Sequence, residues 1–229
     1  MTDSEFRGFS RETIAFLSGL SENNDKGWFE AHREDYDNHY IAPAKAFVSA
    51  FGATLKSISP AIQAVPKVNG SIFRINRDVR FSKDKTPYKD HLDLWFWEGE
   101  RKGWDKPGYF FRMTSTQVLL GTGMHKLDKA PLATFREHVA DDVRGGELAA
   151  IIAKLKADGY GVGGSHYKRV PSGYAADHPR AELLKHNGFF AETTVPIPEE
   201  AFGPGFVDWC YERAAAMAPV HHWMRGLTA

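Results

Sequence analysis

Between Arg74 and His91 the chain carries Arg74, Arg77, Arg80, Lys83, Lys85 and Lys89 against Asp78, Asp84 and Asp90, a local surplus of three positive charges in a protein of formal net charge +0. Arginine forks bind the paired oxygens of a phosphate or carboxylate, and lysines add point charges. Interleaved aspartates can accept the remaining donors and fix the direction in which each arginine points. Thr86-Pro87 stiffens the exit of the stretch, since proline fixes its own φ and biases Thr86 toward an extended conformation, which lowers the entropy cost of holding Lys85, Tyr88 and Lys89 in place. The chemistry that this composition points to is an anion clamp.

A second basic segment, His166 to Pro179, supplies Lys168, Arg169, Tyr174 and His178. Asp177 followed by His178-Pro179 is also a helix start, with a terminus that favours anions. The two segments together predict a small phosphorylated or carboxylated ligand held between them. Arg77, Arg80 and Lys85 would neutralise its charge, with Lys83 and Lys89 beside them. Asp78 and Asp84 would orient the arginines, Tyr88 or Tyr174 would supply a neutral hydrogen bond, and His178 is the group whose chemistry suits proton transfer. Ligand binding alone and catalysis are both open. The opposing reading is that the loop charges pair with one another on a solvated surface, because exposed ion pairs are common and weak. A variant in which Asp78, Asp84 or Asp90 holds Mg²⁺ beside a phosphate leaves little trace in sequence.

Other constellations carry less. Glycines 159, 161, 163 and 164 lack the preceding strand and the closing Gly-Lys-Ser/Thr of a phosphate loop, so helix termination explains Gly159. Gly121-Thr122-Gly123 lacks the third glycine of a dinucleotide fingerprint and reads as a strand end or bulge. His32, Asp35 and His39 share a helix face without the tighter spacing of a zinc helix, and no metal is assigned. Cys210 reads as a small core residue and His221-His222 as packing beside Trp223, and the Gly-x-Ser-x-Gly turn of a serine hydrolase is absent. No cofactor is implied. Trp95 and Trp97 on one strand face, beside a basic groove, would suit single-stranded nucleic acid, which is the main alternative function. A non-catalytic interaction scaffold is the third, and it would show an exposed apolar patch.

The elements that must position these residues come from periodicity. Ser10 and Asn24 or Asp25 are helix starts, and Phe47, Phe51, Leu55 and Ile58 form one apolar stripe after Pro43. Ser71 to Arg77, Lys89 to Trp97, Tyr109 to Thr114 and Gln117 to Met124 read as strands with short connections, Glu98 to Gly108 and Ser115-Thr116 among them. Leu92, Leu94 and Phe96 lie on one face of the second, and His91, Asp93, Trp95 and Trp97 on the other. Helices follow from near Asp128, over Glu147 to Lys156, from His178 to Lys185 and from Phe206 to Met217, with a strand at Phe189 to Val195. The expected fold is α+β, a mostly antiparallel meander of four to five strands with N-terminal and C-terminal helices packed on it. Gly145-Gly146 and Gly159 to Gly164 are the candidate linkers, neither long enough for a domain boundary, so residues 1–229 read as one domain.

Composition sets outer limits. The 229 residues, 42% hydrophobic and 25% charged, suffice for a sizeable core. A balanced charge and a pI near 7.2 argue against bulk electrostatic coating of nucleic acid or membrane. One cysteine, a start without the basic-then-apolar order of a leader, and no apolar run of about 18 to 20 residues together predict a cytoplasmic protein that does not engage a membrane.

The run Arg77-Asp78-Val79-Arg80-Phe81-Ser82-Lys83-Asp84-Lys85-Thr86-Pro87-Tyr88-Lys89 resembles the hallmark of an uncharacterised family known as domain of unknown function 2461. Asn23-Asn24 with Trp28-Phe29, His32, Tyr36 and Pro43 are similar too, as are Gly121-Thr122-Gly123-Met124, Lys168 to Tyr174, Asp177-His178-Pro179 and Leu183-Leu184-Lys185. The family pattern has His-Pro where this chain reads His125-Lys126, and arginine where it has Ser172, so the positive charge is slightly thinner here. The resemblance implies an intracellular α+β protein without an assigned activity, and carries over no catalytic role.

Overall fold

A computed structural model describes residues 5–100 and 103–227. Residues 1–4, which open the stretch read above for a leader pattern, and residues 101–102, in the expected connection after Glu98, lie outside the described residues.

Local capping starts the N-terminal helices. In α1 (Arg11–Glu22) the Ser10 hydroxyl accepts the Thr13 N–H and the Thr13 hydroxyl oxygen accepts the Ser10 N–H, both at 3.3 Å, a reciprocal box that satisfies two otherwise orphaned donors. Asp25 caps α2 (Lys26–Ala31) by accepting the Trp28 N–H at 2.9 Å. After the short α3 (Arg33–Asp35), a π-helical turn over Tyr36–Ile41 leads into α4 (Ala42–Leu55), whose first turn contains Pro43, where a missing N–H costs nothing. The apolar stripe of α4 is buried through Leu55, while Ile58 lies beyond the helix.

The sheet has six antiparallel strands in the order β1-β2-β3-β4-β6-β5: β1 (Ile62–Gln63), β2 (Leu92–Glu98), β3 (Gly108–Met113), β4 (Gln117–Met124), β5 (Gly161–Ser165) and β6 (His186–Pro196). The α+β expectation holds, with one more strand than foreseen. Ser71 to Arg77 is not a ladder strand. Isolated bridges Ile72 to Leu94 and Asn76 to Tyr88 give it only partial pairing, because its register against the opposite arm slips between Phe73, bonded to Asp93, and Ile75, bonded to Lys89.

Between α5 (Lys129–Ala140) and α6 (Asp142–Ala157), Asp141 is extended and its carboxylate accepts the N–H groups of Val143 and Arg144 at 3.0 and 2.8 Å. That cap starts α6 five residues before Glu147, so Gly145-Gly146 is helical, not a linker. The helix placed from His178 to Lys185 is the shorter α7 (Ala181–Leu184), and the last, α8 (Phe206–Arg225), runs past Met217 and contains Pro219. In β4 a Cβ on Gly123, whose φ is +134°, would lie 2.3 Å from the Phe189 carbonyl oxygen, so the close approach of two backbones accounts for the glycine read as a strand irregularity.

The chain divides into two compact units. Among the described residues the first comprises 5–96, 110–120 and 194–212, and the second 97–100, 103–109, 121–193 and 213–227. The first is built on an aromatic cluster, with Phe9, Phe47 and Phe206 ring to ring and Phe51 edge-on to Phe96. In the second, Phe135 packs against Phe189 and Trp223. Among the described residues no helix is long and apolar enough to cross a membrane.

Candidate functional site

The charged stretch is a hairpin of irregular arms in the first unit. Phe73 donates its N–H to the Asp93 carbonyl at 3.0 Å, Lys89 to Ile75 at 2.8 Å, and Arg77 to Pro87 at 2.8 Å, so residues 73–77 run beside 87–93. Proline serves as an acceptor here, the one ladder role its ring leaves it. At the tip each arginine has its own carboxylate. Arg77 donates to Asp84 and to the Thr86 hydroxyl, and Asp84 also accepts the Thr86 N–H at 3.0 Å. The Thr86 N–H, followed by the Arg77 guanidinium, holds the Asp84 carboxyl down to about 2. Arg80 grips Asp78 in a fork, Nε to Oδ1 at 2.9 Å and a terminal nitrogen to Oδ2 at 2.7 Å, with the Arg80 side chain 77% exposed. Lys85 donates to the Val79 carbonyl at 2.9 Å, and Lys83 is exposed. Three different partners therefore hold the head groups of Arg77, Arg80 and Lys85. Phe81, beside Arg80 at 5.8 Å, is 95% exposed.

The base of the hairpin holds a tighter cluster. The Asp93 side chain, 7% exposed on β2, accepts Arg112 Nε at 2.6 Å and an Arg112 terminal nitrogen at 3.0 Å from β3. His91 Nε2 lies 3.3 Å from the same carboxylate, and its Nδ1 2.8 Å from Asp90. Lys89 Nζ stands farther off, 3.8 Å from Asp93 and 4.9 Å above the Phe73 ring, and the charge of Arg74 acts on both Lys89 and Asp78. Burial works to raise the Asp93 carboxyl, but hydrogen bonds from His91 and Arg112 outweigh it and leave the group below its ordinary range. The Lys89 ammonium is shifted down, first by burial and then by the charges of Arg112 and Arg74, against the pull of Asp93.

Sequence reasoning missed His91, Asp93 and Arg112. Two polar residues alternating among tryptophans on one strand face were a signal that something must satisfy them. Arg112 left no such trace, since its role depends on strand register.

Tyr88, placed above as a hydrogen-bonding group, is buried with its ring stacked on Phe29 at 4.3 Å, and its N–H and C=O are tied to Asn24, both at 3.0 Å. Lys168, Arg169, Tyr174 and His178 belong to the second unit. Lys168 and Arg169 are exposed and Tyr174 is half-buried. His178 Nδ1 accepts the Arg180 N–H at 3.0 Å, in the turn that directs the Arg180 guanidinium onto the Val139 carbonyl at 2.6 Å and those of Ala140 and Asp141 at 3.1 Å. Arg180 thereby caps the end of α5, where helix carbonyls lack internal donors. Asp177 is exposed and does not cap α7.

The second unit also contains an aligned hydroxyl, imidazole and carboxylate. Thr122 Oγ1 is 3.5 Å from His221 Nδ1, and His221 Nε2 is 3.0 Å from Glu98, which lies 3.7 Å from Arg225. It resembles a nucleophile relay only in order. All three groups are buried, and Thr122 donates its proton to the Gly108 carbonyl at 2.9 Å, so the arrangement ties β2, β3, β4 and α8 residues of that unit together. Burial drives the His221 imidazole down to about 4 despite Glu98.

Trp95 and Trp97 are buried and present no face to a base, which corrects the stacking role given to them. Cys210 is buried, in keeping with a core role. Among the described residues no three His, Cys, Asp or Glu side chains gather as metal ligands would. A family model described as a conserved hypothetical protein, DUF2461, matches residues 12–223. No curated protein matches the chain.

Proposed function

We propose that this chain, which belongs to the DUF2461 family, binds a small phosphorylated or carboxylated ligand at the base of the basic hairpin in its first unit. The observation that carries the reading is the cluster around Asp93: one buried carboxylate faces Arg112 and Lys89 and bonds His91, Asp90 lies on the other nitrogen of His91, and Arg74 is close enough to act on Lys89. Like charges held together cost free energy that an anion would relieve, and the Lys89 ammonium, lowered first by burial, is lowered further by the charges of Arg112 and Arg74. The side-on fork spends Nε and one terminal nitrogen of Arg112 and leaves the other terminal nitrogen for a ligand oxygen. Arg80 and Arg77 serve the tip, where each offsets its own aspartate and leaves the charges of Lys83 and Lys85 as the net positive potential. Lys168, Arg169, Tyr174 and His178 are not needed by this reading.

Thermal melting with inorganic phosphate tests it. A ligand bound only by the folded state stabilises by about 1.4 kcal/mol at ten times its Kd. Phosphate should raise the melting temperature of the wild type more than chloride at equal ionic strength does, and Arg74→Ala, at an exposed position, should shrink the shift while leaving the melting temperature in chloride unchanged. Equal responses to both salts would defeat the reading.

A second reading rests on Phe81, an exposed ring in a basic loop, which would stack on a base of single-stranded nucleic acid. It requires fluorescence polarisation with a single-stranded oligonucleotide that rises at low salt and drops in Phe81→Ala.

A further inference from the structure

Arg136, on α5 in the second unit, carries a charge that no described residue pairs with. Arg144, Arg180 and Arg225 of the same unit each face a carboxylate, those of Glu147, Asp142 and Glu98. Among the described residues no carboxylate or carbonyl accepts a donor of Arg136, and its Nε is buried without a partner while the residue as a whole is half-buried. A cation partly withdrawn from water ordinarily has a counter-charge or an acceptor, and this one has neither. What the chain provides is a ring: the Arg136 guanidinium lies over Tyr167, 5.2 Å from its centroid, and Tyr167 is 41% exposed. A ring attracts the cation electrostatically and leaves the N–H donors, which lie in the guanidinium plane, to other partners. Nε is the one nitrogen of the three sealed from solvent, so the terminal pair is the part that an anion can reach.

The ring is itself fixed. Just beyond β5 the Tyr167 N–H donates to the Lys185 carbonyl at 2.9 Å, the His166 N–H donates to the same oxygen at 3.1 Å, and the rings of His166 and Tyr167 meet edge-on at 4.9 Å. Lys168 and Arg169 follow directly, both exposed, and residues 159–176 contain no aspartate or glutamate. Glu182 is bonded to Lys185 at 2.5 Å, and Glu137, beside Arg136 in sequence, makes no ion pair with it among the described residues. We propose that Arg136, with Lys168 and Arg169, forms a second anion site, within the second unit, that takes the phosphate group of a small molecule at the terminal nitrogens of Arg136. Three cations suit a dianion better than a singly charged carboxylate, and the two terminal nitrogens match two phosphate oxygens. Tyr167 is a positioning residue, since it holds the guanidinium and meets no phosphate oxygen itself.

Arginine Nε–Hε resonances in a proton–nitrogen correlation spectrum of the isotope-labelled full chain report on this group, and inorganic phosphate is the probe. The Arg136 signal, assigned through its connectivity to the α5 backbone, should shift saturably with phosphate, and several-fold less with chloride or acetate at equal ionic strength. A shift in phosphate no larger than in chloride overturns the inference, and an equal shift in acetate overturns the choice of phosphate. The double variant Lys168→Ala, Arg169→Ala, at exposed positions, should melt as wild type does in chloride and bind phosphate several-fold more weakly at Arg136. Unchanged affinity in that variant removes the two residues from the site. Arg136→Gln should abolish the phosphate-dependent shifts of the Tyr167 and Lys168 backbone amides. Arg74→Ala, which tests the hairpin of the first unit, should leave the Arg136 response intact, so that either site can fail without the other. Loss of the Arg136 response in Arg74→Ala would assign it to the hairpin and overturn the second site.

Discussion

Arg112 and Asp93, nineteen positions apart in sequence, are joined side-on across β2 and β3, with the carboxylate buried and the guanidinium half-exposed. Arg112→Ala strands that carboxylate with only His91 and the more distant Lys89. Removing one partner of a buried ion pair costs about 3 to 5 kcal/mol, and the partial exposure of Arg112 places the loss toward the low end. Chemical denaturation should show a smaller loss for Asp93→Asn than for Arg112→Ala, because the amide keeps the shape without a buried charge. The reverse order would mean that the carboxylate is not what Arg112 satisfies.

Arg80→Ala should leave the melting temperature unchanged, because its fork with Asp78 is exposed to solvent and screened. The same variant should slightly weaken the response to phosphate by lowering the positive potential of the hairpin. A large melting loss in chloride alone would show Arg80 to be structural.

Gly123→Ala places a Cβ against the Phe189 carbonyl at a φ that side chains rarely adopt. Backbone strain of that kind costs about 1 to 3 kcal/mol, and the overlap adds to it, so the variant should melt earlier than wild type under every salt condition.

Acid should weaken the fold in two stages. His221 has a folded pKa of about 4, below its unfolded value near 6.5, so between those limits the unfolded chain binds the extra proton and stability falls as pH drops from about 6.5 to about 4. Asp84 and Asp93 are held below the usual carboxylate value, so their contribution is present above about 3.9 and is lost as pH falls further. Denaturant melts across this range should show a flatter slope between pH 6.5 and 4 for His221→Gln than for wild type, even though that variant is less stable overall. Parallel slopes would place the upper stage on another group.

Features that depend on a few neighbouring residues were legible from the chain itself. Ser10 and Asp25 start helices because each cap reaches only three residues ahead, and the strands at Gly108–Met113 and Gln117–Met124 follow from short-range patterning and turn chemistry. The charged loop between Arg77 and Lys89 was visible as well, since its arginines meet their aspartates within seven positions. Local signals misled where a distant partner prevailed. Gly145-Gly146 looked like a linker, yet Asp141 caps the helix that contains it, and a Cβ on Gly145 would meet the Arg180 guanidinium. Ser71 to Arg77 had strand composition, but its pairing with residues 87–95 is interrupted by a slip in register. The tertiary structure alone decided that Arg112 reaches Asp93, that His221 reaches Glu98 across 123 positions, and that Trp95 and Trp97 are buried. Strand register and interior packing are set by the whole set of burials made at once, so residues far apart in sequence acquire their electrostatic partners only after the chain has closed around them.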